Sequence, residues 1–285
     1  MFEPSLYIVA TPIGNLGDIT PRAVEILKQV DVIAAEDTRY SRRLLNYFGI
    51  ETRLVSCHEH NERQKAEKLL IRLQEGESIA LISDAGTPLI SDPGYLLVRT
   101  VREAGIKVVP IPGVCAIIAA LSVSGLATNS FYFAGFLPAK SSGRRKKLAE
   151  LSEMKNTWVF YESTHRICDS LDDCIDVLGE QRYIVLAREM TKKFETVIAG
   201  TVGVVRECLA NDSDQCRGEF VVLVEGNRDE PSSIFSQDTE KLLRRLLQDL
   251  SIKKATAIVA DITGHRKKEL YDFVLTFKTS GKMLE

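Results

Sequence analysis

Five short apolar runs occupy residues 6–10, 31–35, 53–57, 78–83 and 107–111, and each leads into a loop rich in glycine, proline or charge. This pattern constrains the fold more than any other feature of the chain. Between the runs, apolar residues recur at helical spacing. Ala23, Ile26, Leu27 and Val30 follow Thr20-Pro21; Leu44, Leu45 and Phe48 precede Gly49; Ala66, Leu69, Leu70 and Leu73 precede Gly76. A fourth helical stretch over 95–103 is closed by Gly105. Threonine before proline supplies an N-cap and a first-turn residue whose missing N–H would be unpaired there anyway. Thr38 is the expected cap of the second helix. Glycine past the last apolar position ends a helix because it takes the left-handed conformation without a Cβ clash. Strands of five or six residues alternating with helices specify a mainly parallel α/β sheet.

The pattern changes after an apolar helix expected over 114–123 and a connection at 126–130. Strands fit 131–136, 157–161, 183–187, 196–199 and 219–224, with helices at 144–154 and 165–178. Residues 125–228 thus read as a second α/β domain with a more mixed sheet, after a first over 1–124. A polar, turn-rich linker at 228–233 leads into residues 234–285, where helices fit 241–248, 253–263 and 267–273. The last two flank Gly264 in the layout of a small helix-turn-helix unit. The fold class is α/β, two domains with a small all-helical extension.

Hydrophobic residues make up 45% and charged residues 27% of the 285, enough to bury a core without cross-links. The six cysteines form no C-x-x-C pair and no zinc-type spacing with histidine, so neither a disulfide framework nor a metal centre is expected. No run reaches the roughly 18 apolar residues of a membrane span. Residues 1–5 lack a basic secretory n-region, and a reducing cytoplasm is the expected compartment. The net charge of −2 is unevenly spread: residues 241–285 carry ten Lys/Arg against five Asp/Glu, and residues 1–240 carry 27 against 34. A basic tail on an acidic body suits a polyanionic partner, and it equally suits a solvated helical surface.

In a parallel sheet the loops after the five runs project from one edge, where ligands bind. They read TPIGNLGD (11–18), EDTR (36–39), HEHNE (58–62), DAGTPLISDPG (84–94) and PGVCA (112–116). None has the spacing of a phosphate-binding G-x-x-x-x-G-K-[ST] loop or a dinucleotide G-x-G-x-x-G loop. Glycine admits close backbone approach, and proline fixes loop shape.

The set YIVATPIGNLGDITPRA (7–23), AAEDTR (34–39), SCHEHNE (56–62), SDAGTPLISDPG (83–94) and VPIPG (109–113) resembles the tetrapyrrole-methylase superfamily, in particular its ribosomal RNA branch. FYESTHRI (160–167), AREMTKKFE (187–195) and RGEFV (217–221) extend the likeness, and the basic C-terminal helices match that branch's extension. The resemblance covers essentially the whole chain. It implies two α/β/α domains with S-adenosylmethionine (SAM) in the cleft between them, and a homodimer. It also implies methylation of a cytidine 2′-hydroxyl in the decoding region of 16S rRNA, on free rRNA or the small ribosomal subunit. By the same resemblance Gly86, Leu89 and Ile90 belong to the cofactor loop. Thr87 stands where relatives often carry Asp, with Asp84 three residues earlier as the nearby carboxylate. Cys115 and Ala116 occupy the place of a small pair, often Ser-Ser, and Pro12, Tyr161 and Met190 fall at further cofactor-lining positions.

Transfer from a sulfonium needs mainly orientation, which can supply roughly 7–11 kcal/mol, and a base taking the hydroxyl proton adds about 10²–10⁴-fold. Asp18, Glu36, Asp37, Glu59 and Glu189 are the carboxylates at strand ends, and His58 and His165 the imidazoles. Asp37 and Glu189 are the first choices for catalysis. A structural role stands beside each: Asp37 can cap the next helix together with Thr38, and Glu189 can pair with Arg188 or Lys192. Arg39, Arg43, Arg144, Arg145, Arg166 and Lys192 on the body are candidate RNA contacts, as are Lys253, Lys254, Arg266 and Lys267 on the extension. Tyr40, Phe136 and Tyr161 are possible platforms for unstacked bases. A solvated helix face accounts for the 144–147 run equally well, and a packing or dimerisation module accounts for the extension. Two other readings share these motifs: a methylase of small tetrapyrroles, and a nucleic-acid-binding module without catalysis.

Overall fold

The apolar runs of the first half form β1 (Leu6–Val9), β2 (Val32–Ala35), β3 (Arg53–Ser56), β4 (Ile79–Ile82) and β5 (Val108–Ile111). They lie side by side in the order β3-β2-β4-β1-β5, and every pairing is parallel. The connecting helices are α1 (Pro21–Gln29), α2 (Thr38–Tyr47), α3 (Glu62–Gln74) and α4 (Tyr95–Glu103). This computed structural model describes residues 4–58, 62–228, 235 and 237–279. The chain forms two compact units, 1–227 and 228–285.

Side-chain alternation along the strands sorts the first core into two layers. Tyr7, Val9, Ile33, Ala35, Ala80 and Ile82 pack with α1 and α2 through Ala23, Ile26, Leu27 and Leu45. Leu6, Val32, Ala34, Ile79 and Leu81 pack on the other face with α3 and α4 through Ala66, Leu69, Leu73, Leu97 and Val101. Thr20 Oγ1 caps α1 by accepting from the Ala23 amide at 3.1 Å. The cap of α2 is Asp37, not Thr38, which is already helical. Pro110 sits in β5, an edge strand bonded to β1 alone, where its missing N–H removes no ladder bond.

The second sheet has the order β6-β7-β10-β8-β9, built from β6 (Phe131–Phe136), β7 (Thr157–Ser163), β8 (Tyr183–Arg188), β9 (Thr196–Thr201) and β10 (Glu219–Val224). Only β6–β7 is parallel; β7–β10, β10–β8 and β8–β9 are antiparallel. Trp158, Phe160, Leu186, Phe220 and Val222 face α6 (Ser141–Leu151), α7 (Ile167–Leu178) and α8 (Val202–Asn211). Helix α8 is not expected from local sequence pattern. Its β-branched valines read against helix, but Val202, Val205 and Leu209 lie on one buried face and Thr201 accepts from the Val204 amide.

The opposite face of this sheet, with Val159, Val185, Ala187, Val221 and Leu223, is covered by α5 (Ala116–Ser124) through Ile117, Ala120 and Leu121. Ile13, from the loop after β1, joins the same cluster. The two sheets are thus bound together by residues that belong in sequence to the first half.

In the second unit, α9 (Gln237–Asp249), α10 (Ile252–Thr263) and α11 (Lys267–Thr279) enclose Phe235, Leu243, Ala255, Val259, Leu270 and Val274. Gly264, at φ +76°, ends α10. Beyond Arg228, the expected linker lies outside the described residues.

Candidate functional site

Helices α1 and α4, which follow the neighbouring strands β1 and β4, lie on opposite faces of the first sheet. The loops after β1 and β4 therefore diverge, leaving the crevice in which open α/β sheets bind ligands. At its base Thr11 and Gly86 pair through two backbone hydrogen bonds of 2.9 and 3.0 Å. Thr11 Oγ1 also donates to the Ser83 carbonyl at 3.2 Å. Thr87 Oγ1 donates to the Val114 carbonyl at 2.9 Å, tying in the loop after β5. Asp84 Oδ1 accepts from the Asp37 amide at 3.1 Å, tying in the loop after β2. Glu62, buried at the start of α3, accepts at one oxygen from the amides of Gly94, Leu96 and Leu97 at 2.7–3.3 Å. It thereby caps α4, which has no cap from its own Gly94. The loops are locked to one another by these bonds.

The 84–94 loop is held in costly backbone. Gly86, Leu89, Ser91 and Gly94 have φ of +82°, +73°, +65° and +126°. The left-handed region is disfavoured for leucine and serine, and such outliers persist where surroundings over-determine them.

A cavity of about 340 Å³ opens between this loop and the second sheet. Its walls include Ile13, Gly86, Thr87, Ile90, Asp92, Cys115, Ala116, Phe136, Tyr161, Met190, Lys192 and Val221. Cys115 precedes α5 and offers no side-chain cap to it. The rings of Phe133 and Phe136 stand 5.0 and 5.5 Å from Tyr161. Burial, with lesser contributions from Cys115 and Asp92, pushes the Tyr161 phenol up and keeps it protonated.

Seven of the expected cofactor residues line this cavity: Gly86, Thr87, Ile90, Cys115, Ala116, Tyr161 and Met190. The other three do not. Pro12 is buried beside Thr11. Leu89 turns, through its positive φ, into the cluster with Leu81 and Leu97. Asp84 is engaged by the Asp37 amide, and burial raises its carboxyl. The carboxylate that this loop does place in the cavity is Asp92, which the sequence reading did not single out. Burial raises its carboxyl to about 6, against a hydrogen bond from Ser83 and with help from the Asp84 charge. Its Asp-Pro-Gly setting read only as turn chemistry.

Neither first-choice catalytic carboxylate lines the cavity. Asp37 accepts from the Arg39 amide at 2.8 Å and pairs with its guanidinium at 3.3 Å. The Arg39 amide and then its side chain hold the carboxyl below the usual range. Glu189, at φ +49°, accepts from the Glu219 amide and from Lys192 Nζ, both at 2.9 Å. Burial pulls its carboxyl up, but these bonds outweigh it and hold it low. In both, the charged form is already satisfied by hydrogen bonds, which makes the carboxylate a weaker base. Asp18, Glu36, His58 and His165 also stand away from the cavity lining, and Glu59 lies outside the described residues.

Among the expected RNA contacts, Arg144 is corrected. It is 3% exposed and binds Asp173 through Nε at 2.6 Å, while Ser141 donates to the same carboxylate. Its charge ties α6 to α7. Arg166 is likewise turned inward, to Glu162 at 3.2 Å and the Leu137 carbonyl. Arg145 is half-exposed and paired with Asp176. Lys192 spans the cavity rim, bridging Glu189 and Glu219. Its aliphatic chain lies where a Cβ on Gly14 would stand, 2.3 Å from Cγ. Arg39 and Arg43 are exposed on α2. Lys253, Lys254, Arg266 and Lys267 are exposed at the starts of α10 and α11.

Comparisons with known proteins agree with this architecture. The family model "Tetrapyrrole (Corrin/Porphyrin) Methylases" matches residues 5–205, and the model "RsmI C-terminal HTH domain" matches residues 235–278. The chain is 54% identical over 273 residues to "Ribosomal RNA small subunit methyltransferase I" of Escherichia coli O157:H7, covering 96% of this chain and 95% of that one. It is 55% identical over 271 residues to the protein of the same name from Haemophilus influenzae, covering 95% and 96%. A solved cobalt precorrin-4 methyltransferase superposes with a TM-score of 0.58 at 18% identity over 78% of this chain and 95% of that one; that likeness speaks to the fold. With its paired sheets, its interlocked loops and these full-length matches, the chain belongs to the tetrapyrrole methylase family, among the ribosomal RNA small subunit methyltransferase I proteins.

Proposed function

We propose that this protein is a SAM-dependent methyltransferase that modifies the 2′-hydroxyl of a cytidine ribose in the decoding region of 16S rRNA, at the position of cytidine 1402. The observation that carries the reading is the full-length identity with relatives named for small-subunit rRNA methylation, helical extension included.

The cavity suits the cofactor. Its volume falls within the range of roughly 300–1,000 Å³ found for cofactor-sized ligands, and its walls are mostly apolar with a few placed polar groups. Ile13, Ile90, Met190 and Val221 would hold the flat apolar part. The uncapped start of α5 at Cys115 and Ala116 offers backbone N–H groups to a carboxylate. Gly86 lets the chain approach closely, and Thr87 fixes the loop by its bond to Val114. When bound, SAM supplies an electrophilic methyl group on sulfur. The residues themselves orient the acceptor and exclude water.

Phe136, 55% exposed at the cavity mouth beside Tyr161, is placed to stack an unpaired base. In the helical unit, Lys253 and Lys254 at the start of α10, and Arg266 and Lys267 at the start of α11, form an exposed basic face suited to phosphates. A cytoplasmic homodimer is the expected state, and the exposed Ile118, Val123, Phe131 and Tyr132 offer it apolar surface.

The test is incubation of purified protein with methyl-tritiated SAM and small subunits lacking the modification, followed by nuclease mapping. Label in one cytidine ribose of 16S rRNA is expected. Label absent from rRNA but present in a precorrin-type substrate would favour the small-molecule reading, and absence of SAM binding by calorimetry would favour the non-catalytic one.

A further inference from the structure

Among the described residues, three carboxylates line the cavity: Asp92, Glu162 and Glu219. Two are already committed. Glu162 is buried, accepts from Ser170 at 2.6 Å and from the Ser163 amide at 2.9 Å, and pairs with Arg166 at 3.2 Å. Glu219 pairs with Lys192 at 2.8 Å on the rim and is 80% exposed. Asp92 differs from both. The neighbours that act on it are the Ser83 hydroxyl and the Asp84 carboxylate, and neither is a cation. It stands in the strained segment between Ser91 and Gly94 and lines the same cavity as Tyr161 and Phe136.

From this placement we infer that Asp92 is the general base of the methyl transfer, taking the proton from the target ribose hydroxyl. The inference rests on the rRNA-methylation reading above. The ribose oxygen gives its O–H proton to an Asp92 oxygen and uses the freed electron pair to bond the methyl carbon. The carbon–sulfur electron pair stays on sulfur, and the carboxyl later returns its proton to water.

Two features fit Asp92 to this task. Its carboxylate is not committed to a cation as Glu162 is to Arg166 and Glu219 to Lys192, which leaves it available to accept a proton. Its carboxyl, near 6 in the free protein, is still ionised at neutral pH. The titratable and charged groups that share the cavity lining with it are Cys115, Tyr161, Glu162, Lys192 and Glu219, with Asp84 and Asp37 on the loop side; the Lys192 ammonium is held by Glu189 and Glu219. The acid limb of the reaction is therefore expected near pH 6.

The experiment compares wild type with Asp92→Asn, an isosteric change, under single-turnover conditions with saturating small subunits. SAM affinity is read separately by calorimetry. The expected result is SAM affinity within about threefold of wild type with a rate loss of about 10²–10⁴-fold. The wild-type rate should rise about tenfold per pH unit up to its break, and the variant should lack this limb. A variant rate within threefold of wild type overturns the inference. So does a rate loss matched by an equal loss of SAM affinity, which would make Asp92 a binding contact. A wild-type rate flat between pH 4.5 and 8 overturns it too, whatever the stability of the variant. If wild type leaves rRNA unlabelled, it is the rRNA reading that fails; if wild type and variant label it equally, it is the assignment to Asp92.

Discussion

Thr11 and Gly86 exchange backbone hydrogen bonds of 2.9 and 3.0 Å, closing a two-residue bridge between the loops after β1 and β4. The bridge sits where those loops diverge, so it sets the width of the crevice. Gly86 can make it because φ is +82°, and a Cβ there would stand 3.3 Å from Ile13 Cγ2. Gly86→Val therefore adds strain of roughly 1–2 kcal/mol and pushes on Ile13, a cavity wall. The expected result is a fold retained by circular dichroism and SAM affinity lowered at least tenfold by calorimetry.

Glu62 is the buried acceptor for three amides at the start of α4. Glu62→Ala leaves those donors unpaired in a site that water reaches poorly. A loss of about 1–3 kcal/mol is expected from urea unfolding. SAM affinity should fall with it, since the same bonds hold the end of the 84–94 loop. An unchanged urea midpoint would contradict this role.

Arg144 and Asp173 form a buried pair. Removing one partner strands the other charge, and Arg144→Leu should cost about 3–5 kcal/mol. Joint replacement by Arg144→Leu and Asp173→Leu should recover much of it. RNA affinity of the folded fraction, measured by filter binding, should match wild type in both; a selective loss of affinity would return Arg144 to the RNA surface.

The cations of the helical unit should behave oppositely. Alanine at Lys253, Lys254, Arg266 and Lys267 together should leave the melting temperature nearly unchanged. If all four meet phosphates, the slope of log K against log salt for rRNA binding should drop by about 3, taking roughly 0.7 per single-strand contact. An unchanged slope would mark the unit as a packing module.

The raised carboxyl of Asp92 also has a consequence for stability. Its folded-state value of about 6 lies above the ordinary 3.8. Between these values the folded protein binds more protons than the unfolded chain, so this group lowers stability as pH rises from about 4 to 6. Asp92→Asn removes that penalty. The variant should melt at the wild-type temperature near pH 4 and above it beyond pH 6. The opposite sign, with the variant less stable at neutral pH, would mean that the carboxylate is stabilised in the fold.

Local chemistry made much of this legible. The five parallel strands follow from apolar runs bounded by glycine and proline, and short strands between amphipathic helices have few other ways to bury both faces. The loop motifs pointed to Gly86, Thr87, Ile90, Cys115, Ala116, Tyr161 and Met190, all of which line one cavity. The helix α8 escaped because its valines favour strand locally, and burial against the second sheet overrides that preference.

The sequence by itself determined which segments pair, which loops share the sheet edge, and the residue types offered there. Tertiary structure alone decided what each charged group does. Asp37, Glu189 and Arg144 look like functional charges in sequence, yet each finds a partner that satisfies it: the amides of α2, Lys192 and Asp173. Asp92 looks like a turn residue, yet the fold places it in the cavity, where the lysine, Lys192, is paired with Glu189 and Glu219 instead. The physical reason is that a carboxylate's basicity depends on its desolvation and its neighbours, and those come from segments distant in sequence that only the fold brings together.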